Sequence, residues 1–470
     1  MVKTGKAPIT MMTYLAIMSI SLIVNLPGLA VAPMEGKLKE ILHAPELEVQ
    51  LLTTLPNFII IPFVLLSGKL SEAKHKIPII VCALLVYSGC AIWYLFAGDM
   101  TSLIIISCLL GCGAGLLIPF STGLIAETFA GKIRMKQMGW QSGISNSTVV
   151  IATFAVGWLI QGKNWHLPFI VYLAALIPLF FSMWLKNVPG IDTSSKQEQQ
   201  LMNEEDKTPD ASTQSAPAQE TDASTATKSP DDPQLAKAEQ HYPKATVAEA
   251  KVEHTVKAPK EPEKTTNGFN MGRIWSLIGV YFLVTFTSIA ITNYSSQLTV
   301  QYGWPSNIAG DVTSVFFLLV LIPGYILTWF VKFLRANTFL WTALMLVVGL
   351  GLFVFFPQKW AMFVGAGLTG LGYGICQPML YDKASYTVTN PEKLTMALAF
   401  VLTANYLAIA IQPFVISAIS DIFRIHDENL FAFILSFGLV IAYTIVILFT
   451  RKKFAFSVDK SYYEETETTN

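Results

Sequence analysis

Charge is what this 470-residue chain has least of: Asp, Glu, Lys and Arg make up 14% of it, against 53% hydrophobic side chains. A soluble domain carries about 25% charged residues, so the composition argues against one. A basic excess is also missing, since 32 Lys and Arg balance 32 Asp and Glu. Phosphate backbones are bound by clustered positive surface, so no nucleic-acid partner is expected. Only 6 His are present and none lies well inside an apolar run, which removes an imidazole proton relay. The five cysteines, Cys82, Cys90, Cys108, Cys112 and Cys376, all sit in apolar runs, where a thiol behaves as a small hydrophobe. That pattern predicts neither a disulfide framework nor a metal site. No Ser, His and Asp set gathers near one end of the runs, and no Gly-rich phosphate loop stands outside them. An enzyme is therefore not expected, nor a cofactor.

What remains is apolar length. The mean hydropathy is +0.50, and a bilayer core of about 30 Å is crossed by about 20 apolar residues in a helix. Twelve uncharged stretches meet that need: 7–34, 49–68, 77–97, 101–126, 137–162 and 164–185, then 274–310, 312–331, 336–358, 360–381, 394–420 and 429–450. The first lacks a small-residue cleavage site and leads into further spans, so it reads as a span and not as a leader. With the N-terminus inside, 17 Lys and Arg flank the cytoplasmic span ends and five the opposite ends. Basic residues stay cytoplasmic, so both termini are expected there.

Residues 189–270 are rich in Ser, Thr, Glu, Gln, Lys, Pro and Ala, and cannot bury enough surface to fold. They read as a disordered cytoplasmic linker, a spacer reaching roughly 50 Å as a flexible coil; regulation through its Ser and Thr residues is the alternative. The expected organisation is an N-terminal six-helix bundle over 1–188, the linker, a C-terminal six-helix bundle over 271–453 and a cytoplasmic tail over 454–470.

The two halves repeat each other. Gly111, Gly113, Gly115 and Pro119 of span four match Gly370, Gly372, Gly374 and Pro378 of span ten at an offset of 259. The same offset carries Arg134 onto Lys393 and Asn146 onto Asn405, and an offset of 261 places Ile61-Pro62 on Ile322-Pro323. Parallel repeats of this kind are a transporter architecture. The fold class expected is all-α integral membrane, with twelve transmembrane helices in two pseudo-symmetric six-helix bundles.

Twelve spans, a six-plus-six division and a long central loop resemble the major facilitator superfamily. The loop Gly68-Lys-Leu70-Ser-Glu72-Ala-Lys74-His-Lys76 is similar to that superfamily's Gly-x-Leu-x-Asp-Arg-x-Gly-Arg-Lys signature, with His75 at its second Gly and Ala73 at its first Arg. The resemblance implies a cytoplasmic gate involving Gly68, Glu72 and Lys76; an ordinary basic topogenic loop is the alternative. Drug exporters of the superfamily carry an Arg in mid-span four, and Ile104 to Ile118 holds none. The resemblance also implies that spans 1, 2, 4, 5, 7, 8, 10 and 11 line a central cavity.

Ionisable groups at bilayer depth are functional candidates because charge there is costly. Asp382 and Asp311 are the proton-coupling candidates, against a local ion pair with Lys383 for the first and a helix-terminal charge for the second. Glu127 is expected to close the cytoplasmic side by a salt bridge to Arg134 or Lys136. Neutral polar residues supply the substrate-contact candidates: Asn25, Asn57, Gln141, Asn146, Asn293, Gln377, Tyr381, Asn405 and Gln412. With no central Arg or Lys, they suit a neutral or amphiphilic organic solute better than an anion. The expected activity is secondary transport by alternating access in the cell (inner or plasma) membrane. The expected protein is a monomer acting on a small molecule, coupled to protons. A multidrug efflux antiporter and a non-transporting sensor on the same scaffold are the alternatives.

Overall fold

The computed structural model describes residues 2, 4, 8–28, 34, 38, 41–43, 46–71, 76–159, 164–188, 268–304, 307–389 and 393–463. Among these residues the secondary structure is helical apart from two isolated β-bridges. A helix satisfies its backbone polar groups within one segment, as a chain in lipid requires. Helical segments fall on all twelve uncharged stretches. In the first half they are α1 (Met11–Ser19, prolonged by the 3-10 turn Ile20–Leu22), α2 (Glu46–Leu70), α3 (Lys76–Tyr94), α4 (Met100–Thr128), α5 (Gly131–Leu159) and α6 (Leu167–Asn187). In the second they are α7 (Met271–Gln301), α8 (Asn307–Leu334), α9 (Thr338–Phe355), α10 (Lys359–Ala384), α11 (Leu394–Phe423) and α12 (Glu428–Thr450).

By length and composition, seven helical runs among the described residues are apolar enough to cross a membrane, and one of them, Ile308–Phe355, contains both α8 and α9. Met11–Leu22 and Thr54–Leu70 are apolar but shorter. Helices α5 and α10 fall below that hydropathy because they carry the amides and terminal charges described below. Helix α1 is shorter than its 7–34 stretch: it ends at Leu22, and a turn follows through Asn25 and Pro27 to Gly28 at φ 79°. Proline removes a backbone donor and glycine alone takes that φ without strain, so the helix stops there. Of the expected linker, 189–267 lies outside the described residues. Its last three residues pair with the α10–α11 connection, where Asn270 N donates to Thr387 O at 2.8 Å and Thr389 N to Gly268 O at 3.1 Å.

The duplicated glycines do the same work in both halves. A Cβ on Gly111 would lie 2.9 Å from Pro56 O, and one on Gly115 2.8 Å from Ile60 O, so α4 presses directly on the α2 backbone. In the second half Gly370 and Gly374 meet the carbonyls of Phe316 and Val320 on α8. Between these, Gly113 faces Ala83 of α3 and Gly372 faces Thr342 of α9. Small residues are how helices pack closely in lipid, where water does not drive them together.

The halves meet most closely towards the end of the molecule formed by the α2–α3, α4–α5, α8–α9 and α10–α11 connections, hereafter the basic face. Helix α8 is kinked after Pro323, with Ile326 at φ −113°, ψ 26°. The kink brings Gly324 onto α5, where a Cβ on Gly139 would stand 2.5 Å from Gly324 O. Gly68 of α2 lies against Ala399 and Met396 of α11, and Gly123 of α4 against Thr395. Phe58 of α2 and Phe414 of α11 meet edge-on at 6.0 Å.

Gly370→Ala is expected to destabilise the protein by about 1–3 kcal/mol through overpacking. Gly438→Ala, whose Cβ enters open space, should leave stability within about 0.5 kcal/mol of wild type. Thermal unfolding of the two variants in detergent checks this; equal melting temperatures would refute the close-contact reading.

Candidate functional site

Two tiers of polar contact lie between and within the halves. The deeper tier is neutral. Gln377 of α10 donates through Nε2 to the hydroxyls of Tyr281 (3.0 Å) and Tyr381 (2.9 Å), which bond each other at 2.7 Å. Its Oε1 accepts from Ser142 of α5 at 3.0 Å, so this cluster spans the two halves. One proline turn explains the position: Pro378 leaves the carbonyl four residues back without its helical donor, and such freed groups are tolerated where polar neighbours exist.

The remaining amides form smaller sets. Asn405 of α11 accepts through Oδ1 from Thr285 of α7 at 2.9 Å and Tyr373 of α10 at 3.0 Å. Asn293 of α7 donates to Gln412 of α11 at 2.7 Å, and Gln412 donates in turn to Phe286 O at 2.9 Å. Gln141 of α5 donates to Thr122 of α4 at 2.8 Å and Ser121 at 3.3 Å. Asn146 donates to Ser142 O of its own helix at 2.8 Å. Asn25 and Asn57 are half-buried, the first in the turn beyond α1 and the second on α2. Several of these groups retain bonding capacity: Gln141 Oε1 is buried without a partner among the described residues, and Asn405 Nδ2 bonds none of them. A buried polar atom without a partner costs about 1–3 kcal/mol, which a bound polar ligand would offset.

The outer tier, at the basic face, is ionic. Arg134 Nε of α5 donates to Asp382 Oδ1 of α10 at 2.8 Å, with the two side chains 12% and 3% exposed. Tyr462 donates to the other carboxylate oxygen at 2.6 Å and bonds Tyr386 at 2.7 Å. Burial, and next the Asp382 carboxylate, raise the phenols of Tyr462 and Tyr386 above the usual tyrosine range, so both stay protonated donors. A second contact joins Lys76 Nζ to Glu127 Oε1 at 2.8 Å, and Thr395 of α11 donates to the same oxygen at 3.0 Å.

These pairings correct two expectations. Glu127 takes Lys76, not Arg134 or Lys136, because Arg134 sits opposite the last turn of α10 and is taken by Asp382. Asp382 does not pair with Lys383, whose Nζ turns to Phe454 O at 2.5 Å; neighbours in sequence project from a helix in different directions. Asp311 is exposed near the start of α8 and Gly68 is a packing contact. Glu72 lies outside the described residues. Sequence reasoning missed Ser142, Tyr281, Thr285, Tyr373, Thr395 and Tyr462, all hydroxyl-bearing. Ser, Thr and Tyr are too common in apolar helices for position alone to mark them, and Tyr462 lies in a polar tail.

Helices joined by buried glycines, neutral amides and a charged closure at one end define a polytopic membrane transporter fold. Residues 8–304, more than half of the chain, match the Major Facilitator Superfamily, and the chain belongs to that family. Membership of that family speaks for a transporter rather than an enzyme. A Bacillus subtilis (strain 168) protein described as Multidrug transporter protein MdtP is 30% identical over 108 residues, a stretch covering 23% of this chain and 20% of that relative's length. The solved structure of the proton:xylose symporter XylE bound to 6-bromo-6-deoxy-D-glucose is similar at a TM-score of 0.62 and 12% identity, covering 96% of this chain and 97% of that one. The human organic anion transporter MFSD10 (TETRAN) is similar at 0.59 and 14%, covering 93% and 99%. At these identities the two structures speak for the fold.

Arg134→Ala leaves the Asp382 carboxylate buried and unpaired, and is expected to cost about 3–5 kcal/mol. Adding Asp382→Asn should recover a large part of that loss. A double-mutant cycle on thermal unfolding measures the coupling, and simple additivity would mean the pair contributes nothing as a pair.

Proposed function

We propose that this protein is a secondary active transporter carrying a small neutral or amphiphilic organic solute across the plasma or inner membrane by alternating access. The carrying observation is the buried amides Gln141, Asn293, Gln377, Asn405 and Gln412, with spare acceptor and donor capacity at Gln141 and Asn405 and no cation hydrogen-bonded to these five among the described residues. Hydrogen-bonding groups without a cation favour a solute that needs no counter-charge on desolvation. The contact residues proposed are Asn25, Asn57, Gln141, Asn146, Asn293, Gln377, Tyr381, Asn405 and Gln412. The basic face is cytoplasmic, both termini lie on that side, and the monomer is the functional unit. Closure of that face through the Arg134–Asp382 pair and the Thr395–Glu127 hydrogen bond defines one of the two alternating states.

Proton coupling runs through Asp382, the buried carboxylate of the described residues. A proton delivered to Asp382 removes its charge, releases Arg134 and lets the basic face open; on departure the pair re-forms. Asp311 is exposed and has no such partner arrangement among the described residues. A multidrug exporter is the second reading, favoured by the short likeness to MdtP.

Thermal stabilisation of the purified protein by a panel of neutral polyols and sugars, amphiphilic drugs, dicarboxylates and phosphate esters tests the substrate class. A neutral or amphiphilic compound should stabilise it, and Gln141→Leu and Asn405→Leu should each weaken that compound about tenfold, the value of one hydrogen bond in a desolvated site. Stabilisation confined to dicarboxylates or phosphate esters would refute the reading. In liposomes, Asp382→Asn should abolish accumulation driven by a pH gradient while solute exchange persists; unchanged accumulation would remove Asp382 from the coupling. Transport of several unrelated amphiphiles would select the exporter reading.

A further inference from the structure

Beyond α12 the chain folds back over the basic face. Ala455 and Phe456 are 5% and 7% exposed, and the Phe456 ring lies 6.1 Å from Phe339 and 5.9 Å from Tyr443. The Phe454 ring sits beneath Arg273 at 4.5 Å and Lys383 at 4.8 Å, and its carbonyl accepts from Lys383. This first part of the segment is thus anchored to α7, α9, α10 and α12, all in the second half. Its far end reaches the other half. Asp459 caps a short 3-10 turn, Lys460–Tyr462, by accepting from Ser461 N at 2.8 Å. Tyr462 and Tyr463 then line a cleft of 270 Å³ with Lys132 and Met135 of α5 and Thr328 and Lys332 of α8.

The Asp382 carboxylate is consequently divided between two elements, Arg134 holding one oxygen and the Tyr462 hydroxyl the other. Tyr386 links them, with its hydroxyl on Tyr462 and its ring 4.5 Å from the Arg134 guanidinium carbon. We infer that the segment from Arg451 to Tyr463 is a strap that holds the basic face shut, with Tyr462 as the residue that positions Asp382 for Arg134. The inference rests on the alternating-access reading. The Tyr462 hydrogen bonds, to Asp382 and Tyr386, stay within the second half, so the strap's hold on the seam acts through the Asp382–Arg134 pair that it orients and through its packing against Lys132 and Met135 of α5. Contacts present in one state alone shift the equilibrium toward that state by their full free energy. Loss of the Tyr462 hydroxyl lets the carboxylate turn away from Arg134, and is expected to weaken that cross-seam pair and raise the open population by up to about tenfold.

Hydrogen–deuterium exchange of the full chain in lipid nanodiscs tests this on wild type, Tyr462→Phe, a truncation ending at Val458, and Arg134→Ala. Tyr462→Phe keeps the ring and deletes the hydroxyl, so it tests the bond without removing the segment. Expected is faster exchange, by up to about tenfold, not only in 451–463 but also in Ser67–Ser71 of α2 and Thr395–Ala399 of α11. Those segments carry the inter-half packing and do not hydrogen-bond Tyr462. The truncation should give the same pattern, at least as large. Faster exchange confined to 451–463, while Arg134→Ala still loosens α2 and α11, overturns the strap and leaves alternating access standing. No change in α2 and α11 with any of the three variants overturns both.

Discussion

A carboxylate buried at the seam between two half-molecules cannot be left alone, and the basic face is organised around that fact. Asp382 is 2% exposed. Withdrawing it from water costs several kcal/mol, which mutual attraction offsets only with good geometry and further hydrogen bonds. Arg134 supplies the attraction from the opposite half, Tyr462 bonds the second oxygen, and Tyr386 packs between them. Close glycine contacts between α5 and α8, and between α2 and α11, bring the helices near enough for these short bonds. The pair joins α5 of the first half to α10 of the second and so braces the seam between them.

The internal duplication shows how far shared descent constrains a membrane bundle. The glycine triplets of α4 and α10 press on equivalent helices because backbone approach depends only on the absence of a Cβ, a property the repeat copies faithfully. Polar side chains are freer. Asn146 and Asn405 stand at equivalent positions, yet one bonds its own helix while the other gathers a threonine and a tyrosine from two neighbours. Arg134 and Lys393 are likewise equivalent, but Arg134 meets a carboxylate and Lys393 lies 5.3 Å from the Phe269 ring. An approximate symmetry persists in the closures all the same. The last turns of α4 and α10 each present an acid to the first turn of a helix in the other half, Glu127 to Thr395 of α11 and Asp382 to Arg134 of α5.

Polarity is distributed by tier. Amides and hydroxyls occupy the interior, where each is worth about 0.6 kcal/mol to helix association and an ionised group would be far more costly. Charges are kept at the helix ends.

Apolar runs, their number and the scarcity of charge were enough to read from composition that the chain is a helical membrane protein in two related halves. Burial in lipid leaves a polypeptide few options, and the glycine register reveals the duplication without coordinates. The amides were legible as candidates for the same reason: each is conspicuous in an apolar helix. Which of them bond one another was not. Nor was the partner of Asp382, 248 positions from Arg134, or the return of the tail to that pair. Those choices depend on helix rotation, on the kink at Pro323 and on which turns face across the seam. Only the packed assembly determines these, because hydrogen bonds act over about 3 Å while the sequence records order along the chain.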